Sequence, residues 1–205
     1  MKKKTDEIID KLYYEKMLLD KGYKYIAGVD EVGRGPLAGE VVTASVIMDL
    51  ERIVEGIDDS KKLSEKKREK LYEDIINSAI AYSINKVSPK VIDEINILNA
   101  TKMCMVESIK GLSIKPDIVL VDAVKLDIDI PTMPIIKGDA LSYSIGSASI
   151  LAKVYRDRLM VEYSKLYPQY MFEKHKGYGT KAHIDAIKEY GACPIHRATF
   201  IKNFV

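Results

Sequence analysis

Apolar residues recur with two different periods along this chain, and together they predict an α/β protein. Shorter apolar runs predict strands at residues 24–32, 41–48, 80–87, 117–121 and 133–136, and longer mixed runs predict helices at residues 5–20, 64–79, 88–110 and 142–163. The first two strands are separated only by a glycine-rich turn, so they are expected to form a hairpin. Ser88 and Pro89 supply an N-cap and a first-turn proline for the helix that follows them.

The composition is typical of one compact domain. Hydrophobic residues make up 47% of the chain and charged residues 30%, without a low-complexity segment. We therefore expect residues 1–205 to form a single domain, with residues 1–23 as an N-terminal helix packed on the core. The formal net charge is only +2, so any binding to nucleic acid must depend on a local basic patch.

Cysteine usage and hydropathy predict a cytoplasmic protein without membrane association. The two cysteines, Cys104 and Cys193, cannot build a disulfide framework. The lysine-rich start runs into Thr5, Asp6 and Glu7 rather than into an apolar signal segment, and no apolar run approaches the ~20 residues needed to span a bilayer. No heptad seam is present, so a monomer is expected.

Acidic residues follow the predicted strands at the points where these strands end. Asp30 and Glu31 close the first strand, Asp122 follows a continuous apolar run, and Asp139 comes after the last short strand. One such acid is usually solvated or caps a turn, but ligands bind at the carboxyl ends of strands in open α/β sheets, so the joint pattern predicts a cluster. Successive strand residues point to opposite faces, so Asp30 and Glu31 can share one site only if the strand twists or ends between them.

The residues directly after the first two acids add a candidate phosphate contact. Gly33 and Gly35 allow backbone amides to approach an anion, and Arg34 can clamp it in a bidentate fork. Clustered carboxylates bind hard divalent cations through oxygen, and two such ions can activate water and stabilise a departing 3′-oxygen. Metal and phosphate together indicate phosphodiester hydrolysis.

Seven motifs in order resemble the ribonuclease HII family over almost the whole chain. They are GVDEVGRGPLAG at 28–39, DSKKLS at 59–64, VDA at 121–123, KGDA at 137–140, SASILAKVYRD at 147–157, HKGYGT at 175–180 and HR at 196–197. The resemblance implies the ribonuclease H-like fold, a mixed central β-sheet flanked by helices with a helical C-terminal part. It also implies an endonuclease that cuts the RNA strand of RNA/DNA hybrids and cuts 5′ of a ribonucleotide embedded in duplex DNA, leaving 3′-hydroxyl and 5′-phosphate ends.

The resemblance further implies roles for individual residues. Its metal-binding and catalytic carboxylates match Asp30, Glu31, Asp122 and Asp139, with magnesium or manganese as the metal. Its recognition of the ribonucleotide-to-deoxyribonucleotide step matches Gly33, Arg34, Gly35 and Tyr178, and an aromatic face suits stacking on the following deoxyribose. Glu40 stands where a proline usually follows PLAG in the family, and this departure has no assigned role.

Four further residues are expected to contact substrate. Lys61 and Lys62 are the members of a basic cluster placed to follow a phosphate backbone, whereas neighbouring lysines alternate with acids and suit a solvated helix face. Ser147 either touches substrate or permits close helix packing. Lys153 is a further substrate contact, or it pairs with Asp157 four residues later on one helix.

Other functions were weighed against the endonuclease. Gly33, Gly35 and Ala38 fit a loose dinucleotide fingerprint, but a strand rather than a helix follows them. Cys193 and His196 with the other histidines lack the ligand-pair spacing of a zinc site. A non-catalytic nucleic-acid-binding module, or another metal-dependent nuclease on the same fold, stays open; clustered carboxylates would repel phosphate in a module that binds without metal.

Overall fold

A computed structural model describes residues 11–203, and its centre is a mixed five-stranded sheet. The strands are β1 (Ile26–Val32), β2 (Val41–Met48), β3 (Ala79–Val87), β4 (Ile118–Asp122) and β5 (Thr132–Ile135). Their spatial order is β3-β2-β1-β4-β5. The pairs β3–β2 and β2–β1 are antiparallel, and the pairs β1–β4 and β4–β5 are parallel. The predicted hairpin of β1 and β2 and the mixed sheet are confirmed.

Helices cover the sheet and form the C-terminal part. They are α1 (Tyr13–Asp20), α2 (Glu65–Ser78), α3 (Pro89–Ile95), α4 (Ile97–Lys110), α5 (Gly138–Leu141), α6 (Tyr143–Leu166), α7 (Phe172–His175), α8 (Lys181–Tyr190) and α9 (Ala198–Ile201), with a 3₁₀ turn at Pro168–Tyr170. None of the helices within residues 11–203 is long and apolar enough to cross a membrane. Residues 5–10 of the predicted N-terminal helix lie outside the described range, as do residues 204–205, and the single-domain organisation of residues 1–205 stays a prediction.

Alternation along the strands divides the core between the two faces of the sheet. Val42, Ala44 and Val46 of β2 pack with α2 and α6 on one face, whereas Ile47 packs with β1, β4 and α4 on the other. Every residue of β2 is buried, as expected of a central strand covered on both sides.

Close contact between β1 and α6 requires a glycine at position 28. A Cβ atom at Gly28 would lie 2.2 Å from the carbonyl carbon of Ser144, which is fixed backbone. This approach brings the start of α6 against the strand that carries Asp30.

The long helix predicted for residues 88–110 is wrong in one respect, because it is two helices. Asn96 has φ 67° and ψ 163°, which ends α3, and its side chain accepts hydrogen bonds from the amides of Leu98 and Asn99 to cap α4. The N-cap at Ser88 and the first-turn proline at Pro89 are confirmed.

The C-terminal part is helical, as predicted, and it packs on the turn between β1 and β2. Leu37 and Ala38 of that turn share an apolar cluster with Met160, Phe172 and Ile195. An isolated antiparallel bridge joins Ala38 to His196. The turn of the hairpin is therefore held by residues distant in sequence.

Candidate active site

The four predicted acids lie at one edge of the sheet. β1 and β4 are parallel with Val29 paired to Val121, so Asp30 and Asp122 each come one residue later at the same level. The amide of Gly138 donates to Asp122 Oδ1 at 2.7 Å, which joins the end of β4 to the segment that carries Asp139. Asp139 lies in the first turn of the short helix α5, which precedes the long helix α6.

The charges of these acids influence one another. The pKa of Asp30, which is 5% exposed, is raised well above its ordinary value by burial and further by Glu31 and Asp122. Burial also raises the pKa of Glu31, and Asp122 adds to the effect although Arg34 opposes it. The pKa of Asp122 is raised by burial, with Asp139 contributing in the same direction. Because Asp30 and Glu31 both respond to Asp122, the end of β1 brings these successive residues to one site.

The donor atoms of the acid cluster fit a hard divalent cation. They are carboxylate oxygens, which magnesium and manganese prefer. Glu31 Oε2 is buried and has no hydrogen-bond partner among residues 11–203, so it is available to a ligand. Within this same range no group of three or more His, Cys, Asp or Glu side chains is already arranged to hold a metal ion. The donor chemistry fits, and the assignment of the four acids as metal ligands stays a prediction.

The glycine-rich turn lies between the acids and Tyr178. Arg34 Nη1 is 3.3 Å from Glu31 Oε1, so the turn contacts the acid cluster directly. On its other side, a Cβ atom at Gly35 would lie 3.6 Å from a ring carbon of Tyr178, whose side chain is 44% exposed. The structure therefore brings Gly33, Arg34, Gly35 and Tyr178 together beside the acids.

Two buried arginines shape this turn through its backbone. Arg197 donates to the carbonyls of Gly33, Arg34 and Gly39 at 2.5 to 3.0 Å. Arg156 donates to the carbonyls of Ala38, Glu40 and Lys176 at 2.9 to 3.0 Å.

These clamps explain one glycine of the turn and were not foreseen as functional. Gly33 has φ 95°, and a Cβ atom there would lie 2.3 Å from Arg156 Nε, so glycine is required. Burial lowers the pKa of both guanidinium groups. The motifs SASILAKVYRD and HR contain Arg156 and Arg197, but nothing in either motif names the carbonyls that they bind.

The loop at residues 59–64 carries the first predicted phosphate contacts. Lys61 is exposed and its charge lowers the pKa of Asp122, so it faces the acid cluster. Lys62 is also exposed, and its charge lowers the pKa of Asp58. Substrate contact by both lysines stays a prediction.

The structure does not bring the other two predicted contacts to the acids in the same way. Ser147 is fully buried and donates to the carbonyl of Tyr143 within its own helix. Ser149 lies beside Asp30, where its hydroxyl lowers the pKa of that acid. Lys153 binds Asp157 at 2.7 Å, which is the pairing alternative stated above. Roles of Ser147 and Lys153 in substrate binding stay predictions, and it is Ser149, two residues after Ser147, that lies beside an acid.

Glu40 has a structural environment that its sequence position did not reveal. Its carboxylate is buried and accepts a hydrogen bond from the hydroxyl of Tyr163 at 2.7 Å, and Lys86 Nζ lies 3.8 Å from the same oxygen. Its backbone carbonyl accepts from Arg156. Glu40 therefore anchors the start of β2 to α6.

Comparison with known proteins gives consistent matches. Residues 27–203 match the family model described as Ribonuclease HII. A relative of that name from Caldicellulosiruptor bescii is 58% identical over 199 residues, covering 96% of this chain and 97% of its own. A crystal structure of ribonuclease H2 from Pyrococcus horikoshii OT3 superposes with a TM-score of 0.74 at 30% identity, covering 88% of this chain and 97% of that chain. The PCNA:RNase HII complex from Archaeoglobus fulgidus gives 0.74 at 28% identity, covering 87% and 96%.

Proposed function

This chain belongs to the ribonuclease HII family and is a ribonuclease H enzyme, and from that premise we propose that it hydrolyses the RNA strand of RNA/DNA hybrids and also cuts 5′ of single ribonucleotides embedded in duplex DNA. The products are 3′-hydroxyl and 5′-phosphate ends. The observation that carries this proposal is the convergence of mutually interacting acids, of which Asp30 is buried, beside the turn that contacts Tyr178.

The proposed catalytic residues are Asp30, Glu31, Asp122 and Asp139, acting as ligands of magnesium or manganese. When bound, two such ions supply an activated water and stabilisation of the departing 3′-oxygen. Burial of Asp30 and partial burial of Glu31 limit the contact of these two carboxylates with water, which strengthens their interaction with any cation. The hydrogen bond from Gly138 to Asp122 fixes the orientation of that carboxylate.

The proposed recognition site consists of Gly33, Arg34, Gly35 and Tyr178. The exposed ring of Tyr178 offers a face for stacking on a deoxyribose, and the turn presents backbone groups to a 2′-hydroxyl. Arg34 lies between this turn and the acids, where its second nitrogen can contact a phosphate while the first pairs with Glu31. Clamping by Arg156 and Arg197 supports this role because it fixes the carbonyls on the opposite side of the turn.

The proposed substrate is a nucleic-acid duplex, which local basic side chains bind although the protein as a whole is nearly neutral. Lys61 lies beside the acids and suits a backbone phosphate adjacent to the cleaved bond. The formal net charge of +2 makes binding depend on such local contacts, so affinity should fall with salt concentration. The monomeric state and the cytoplasmic location stay predictions.

A cleavage assay tests this function. A labelled DNA duplex with one ribonucleotide is incubated with magnesium, manganese or chelator, beside an all-DNA duplex and a full RNA/DNA hybrid. We expect metal-dependent cleavage of the hybrid and one metal-dependent cut 5′ of the single ribonucleotide. No cut with the duplex still bound would instead indicate a binding module or a nuclease with another substrate.

Three variants separate the proposed roles in this assay. Asp139→Asn should abolish cleavage and largely spare binding, since it removes one charged ligand. Tyr178→Ala should reduce cleavage of the single-ribonucleotide duplex most, whereas Tyr178→Phe, which keeps the ring, should not. Full activity of Asp139→Asn at saturating magnesium would remove Asp139 from the metal site.

A further inference from the structure

All three histidines of the chain lie in one cluster that contacts the backbone of Tyr178, with His183 and His196 buried and His175 partly buried. The rings of His175 and His183 stack with their centroids 4.5 Å apart. His183 Nε2 and His196 Nε2 are 3.0 Å apart, which is hydrogen-bond distance. The cleavage chemistry proposed above does not use any of these rings.

The protons in this cluster can be assigned from its backbone contacts. The amide of Cys193 donates to His196 Nδ1 at 2.9 Å, so Nδ1 is an acceptor and the proton of His196 is on Nε2. That Nε2–H must then donate to His183 Nε2, which leaves the proton of His183 on Nδ1. His183 Nδ1–H donates to the carbonyl of Tyr178 at 2.9 Å. We call this directed chain, from Cys193 N–H through His196 and His183 to Tyr178 C=O, the histidine relay.

The relay ends on the residue that borders the glycine-rich turn. The carbonyl of Tyr178 also accepts from the amide of Thr180 at 2.8 Å, so two donors fix this peptide group. The preceding Gly177 has φ 84°. Glycine has more conformational freedom than other residues, so the conformation of this loop depends on hydrogen bonds such as these.

Two consecutive residues of the C-terminal segment act on the two parts of the recognition site, which are Tyr178 and the glycine-rich turn. His196 acts on Tyr178 through His183, and Arg197 binds the carbonyls of Gly33 and Arg34. The bridge between Ala38 and His196 ties the two halves into one unit.

We infer that His183 and His196 are positioning residues that set the orientation of Tyr178 against the glycine-rich turn, and that they do so only while both imidazoles are neutral. This inference rests on the proposed role of Tyr178 in recognition. The ring nitrogens that can take a second proton are His183 Nε2 and His196 Nδ1. A proton on His183 Nε2 would place two N–H groups against each other across 3.0 Å, and a proton on His196 Nδ1 would oppose the amide of Cys193, so either one breaks the relay.

The surroundings of the relay favour the neutral rings. Burial lowers the pKa of His175 and His196, and it lowers that of His183 to about 4. Tyr170 packs against the rings of His183 and His196, and Cys193 belongs to the same apolar cluster as Tyr170. Glu173 and Lys176 act on His175 with opposite effects. No acid among residues 11–203 forms an ion pair with any of these rings.

Nitrogen-15 NMR of the histidines tests the relay without reference to activity. In the full chain at pH 7.5 we expect His196 as the Nε2–H tautomer and His183 as the Nδ1–H tautomer, which is the less usual form in solution. His175 should also be an Nε2–H tautomer, because its Nδ1 accepts from the amide of Gly177 and its Nε2 lies 2.8 Å from the carbonyl of Tyr170. On acidification, the chemical shift of the Tyr178 carbonyl carbon should change at the same midpoint pH as the protonation of the relay histidines. A His183 proton on Nε2, or a Tyr178 carbonyl insensitive to that midpoint, would overturn the inference.

A matched pair of variants tests the consequence for recognition. His196→Asn keeps an acceptor for the Cys193 amide but cannot reach His183, whereas His196→Gln can place a donor near the original Nε2. We expect His196→Asn to raise KM for the single-ribonucleotide duplex about 3- to 10-fold, as for one lost hydrogen bond, with kcat changed less than about twofold. His196→Gln should restore KM.

Tyr170→Phe is the structural control, because it removes the hydrogen bond to the carbonyl of Gly191 in the same cluster without touching the relay. It should leave KM unchanged. If His196→Asn also leaves KM unchanged while Tyr178→Ala raises it, the positioning role is refuted. If wild type does not cut the duplex, the proposed function fails, and the tautomers still decide whether the relay exists.

Discussion

Replacement of Arg197 by lysine isolates the contribution of the guanidinium fork that shapes the recognition turn. The side chain is fully buried and donates four hydrogen bonds to three carbonyls, those of Gly33, Arg34 and Gly39. Lysine keeps the positive charge but presents one ammonium nitrogen in place of the fork. We expect at least two of the four hydrogen bonds to be lost.

The size of the loss follows from the charge and burial of these contacts. A hydrogen bond to a charged group contributes roughly 1.5–3 kcal/mol, and breaking a buried charged contact costs about 3–5 kcal/mol. Arg197→Lys should therefore lower the free energy of unfolding by about 3–5 kcal/mol. For a chain of this length that is a fall in Tm of about 6–20 °C. It is also a large share of the roughly 5–15 kcal/mol typical of whole domains.

Urea unfolding and thermal melting of wild type and variant measure this effect in chelator. Arg158→Lys is the matched control, because Arg158 is exposed, pairs with Glu69 and Glu73 and lies over the ring of Tyr72, all at the surface. That change should cost less than about 1 kcal/mol. An Arg197→Lys protein within 1 kcal/mol of wild type would refute the clamp. Below its Tm, the variant should cut the single-ribonucleotide duplex less efficiently because the carbonyls of Gly33 and Arg34 are released.

Three further changes test other parts of the molecule. Asp30→Asn should raise Tm in chelator while abolishing cleavage, because the raised pKa means that the ionised carboxylate destabilises the folded metal-free state; an unchanged or lower Tm would contradict the acid cluster. Lowering the pH from 7 to 4.5 should reduce stability through His183, whose folded pKa of about 4 lies below its unfolded 6.5, so its contribution is complete above pH 6.5 and is lost as pH falls towards 4. The full loss of unfolding free energy is about 3 kcal/mol. It is measured as the difference between wild type and His183→Gln, because four acids with raised pKa values contribute oppositely but equally in both proteins: Glu15, Asp30, Glu31 and Asp122. Parallel curves of stability against pH for the two proteins would refute this prediction. Gly28→Ala should prevent stable folding, since its Cβ would lie 2.2 Å from the Ser144 carbonyl carbon. In the control Gly22→Ala, the new Cβ has nothing within 4 Å, so the change should cost only its backbone strain, roughly 1 kcal/mol. Equal unfolding free energies of the two variants would disprove the close contact.

Local patterns were enough where the interaction that decides a structure is itself local. The predicted bounds of β2 are those observed, because an apolar, largely β-branched run suits a strand covered on both faces whatever lies around it. Ser88 caps its helix as predicted, because it accepts from an amide three residues later, and Ser64, predicted only as the start of a helix, does the same. The break at Asn96 was missed although Asn96 is itself a cap residue, since the apolar pattern continues across it.

The acids could be located from the sequence because the apolar pattern shows where strands end, and because the chemistry of an acid belongs to its side chain. The partners of Arg156 and Arg197 could not, since these guanidinium groups bind backbone carbonyls more than 100 residues away along the chain, apart from Lys176. A carbonyl is the same in every residue type, so such a contact leaves no mark on the residue that accepts it. The histidine relay likewise ends on a carbonyl, and its three rings in sequence indicated only a weak zinc alternative. Residue identity by itself therefore determined the strands, the cap at Ser88 and the positions of the acids at the strand ends, whereas the tertiary structure alone decided which backbone groups hold the glycine-rich turn and Tyr178 in place.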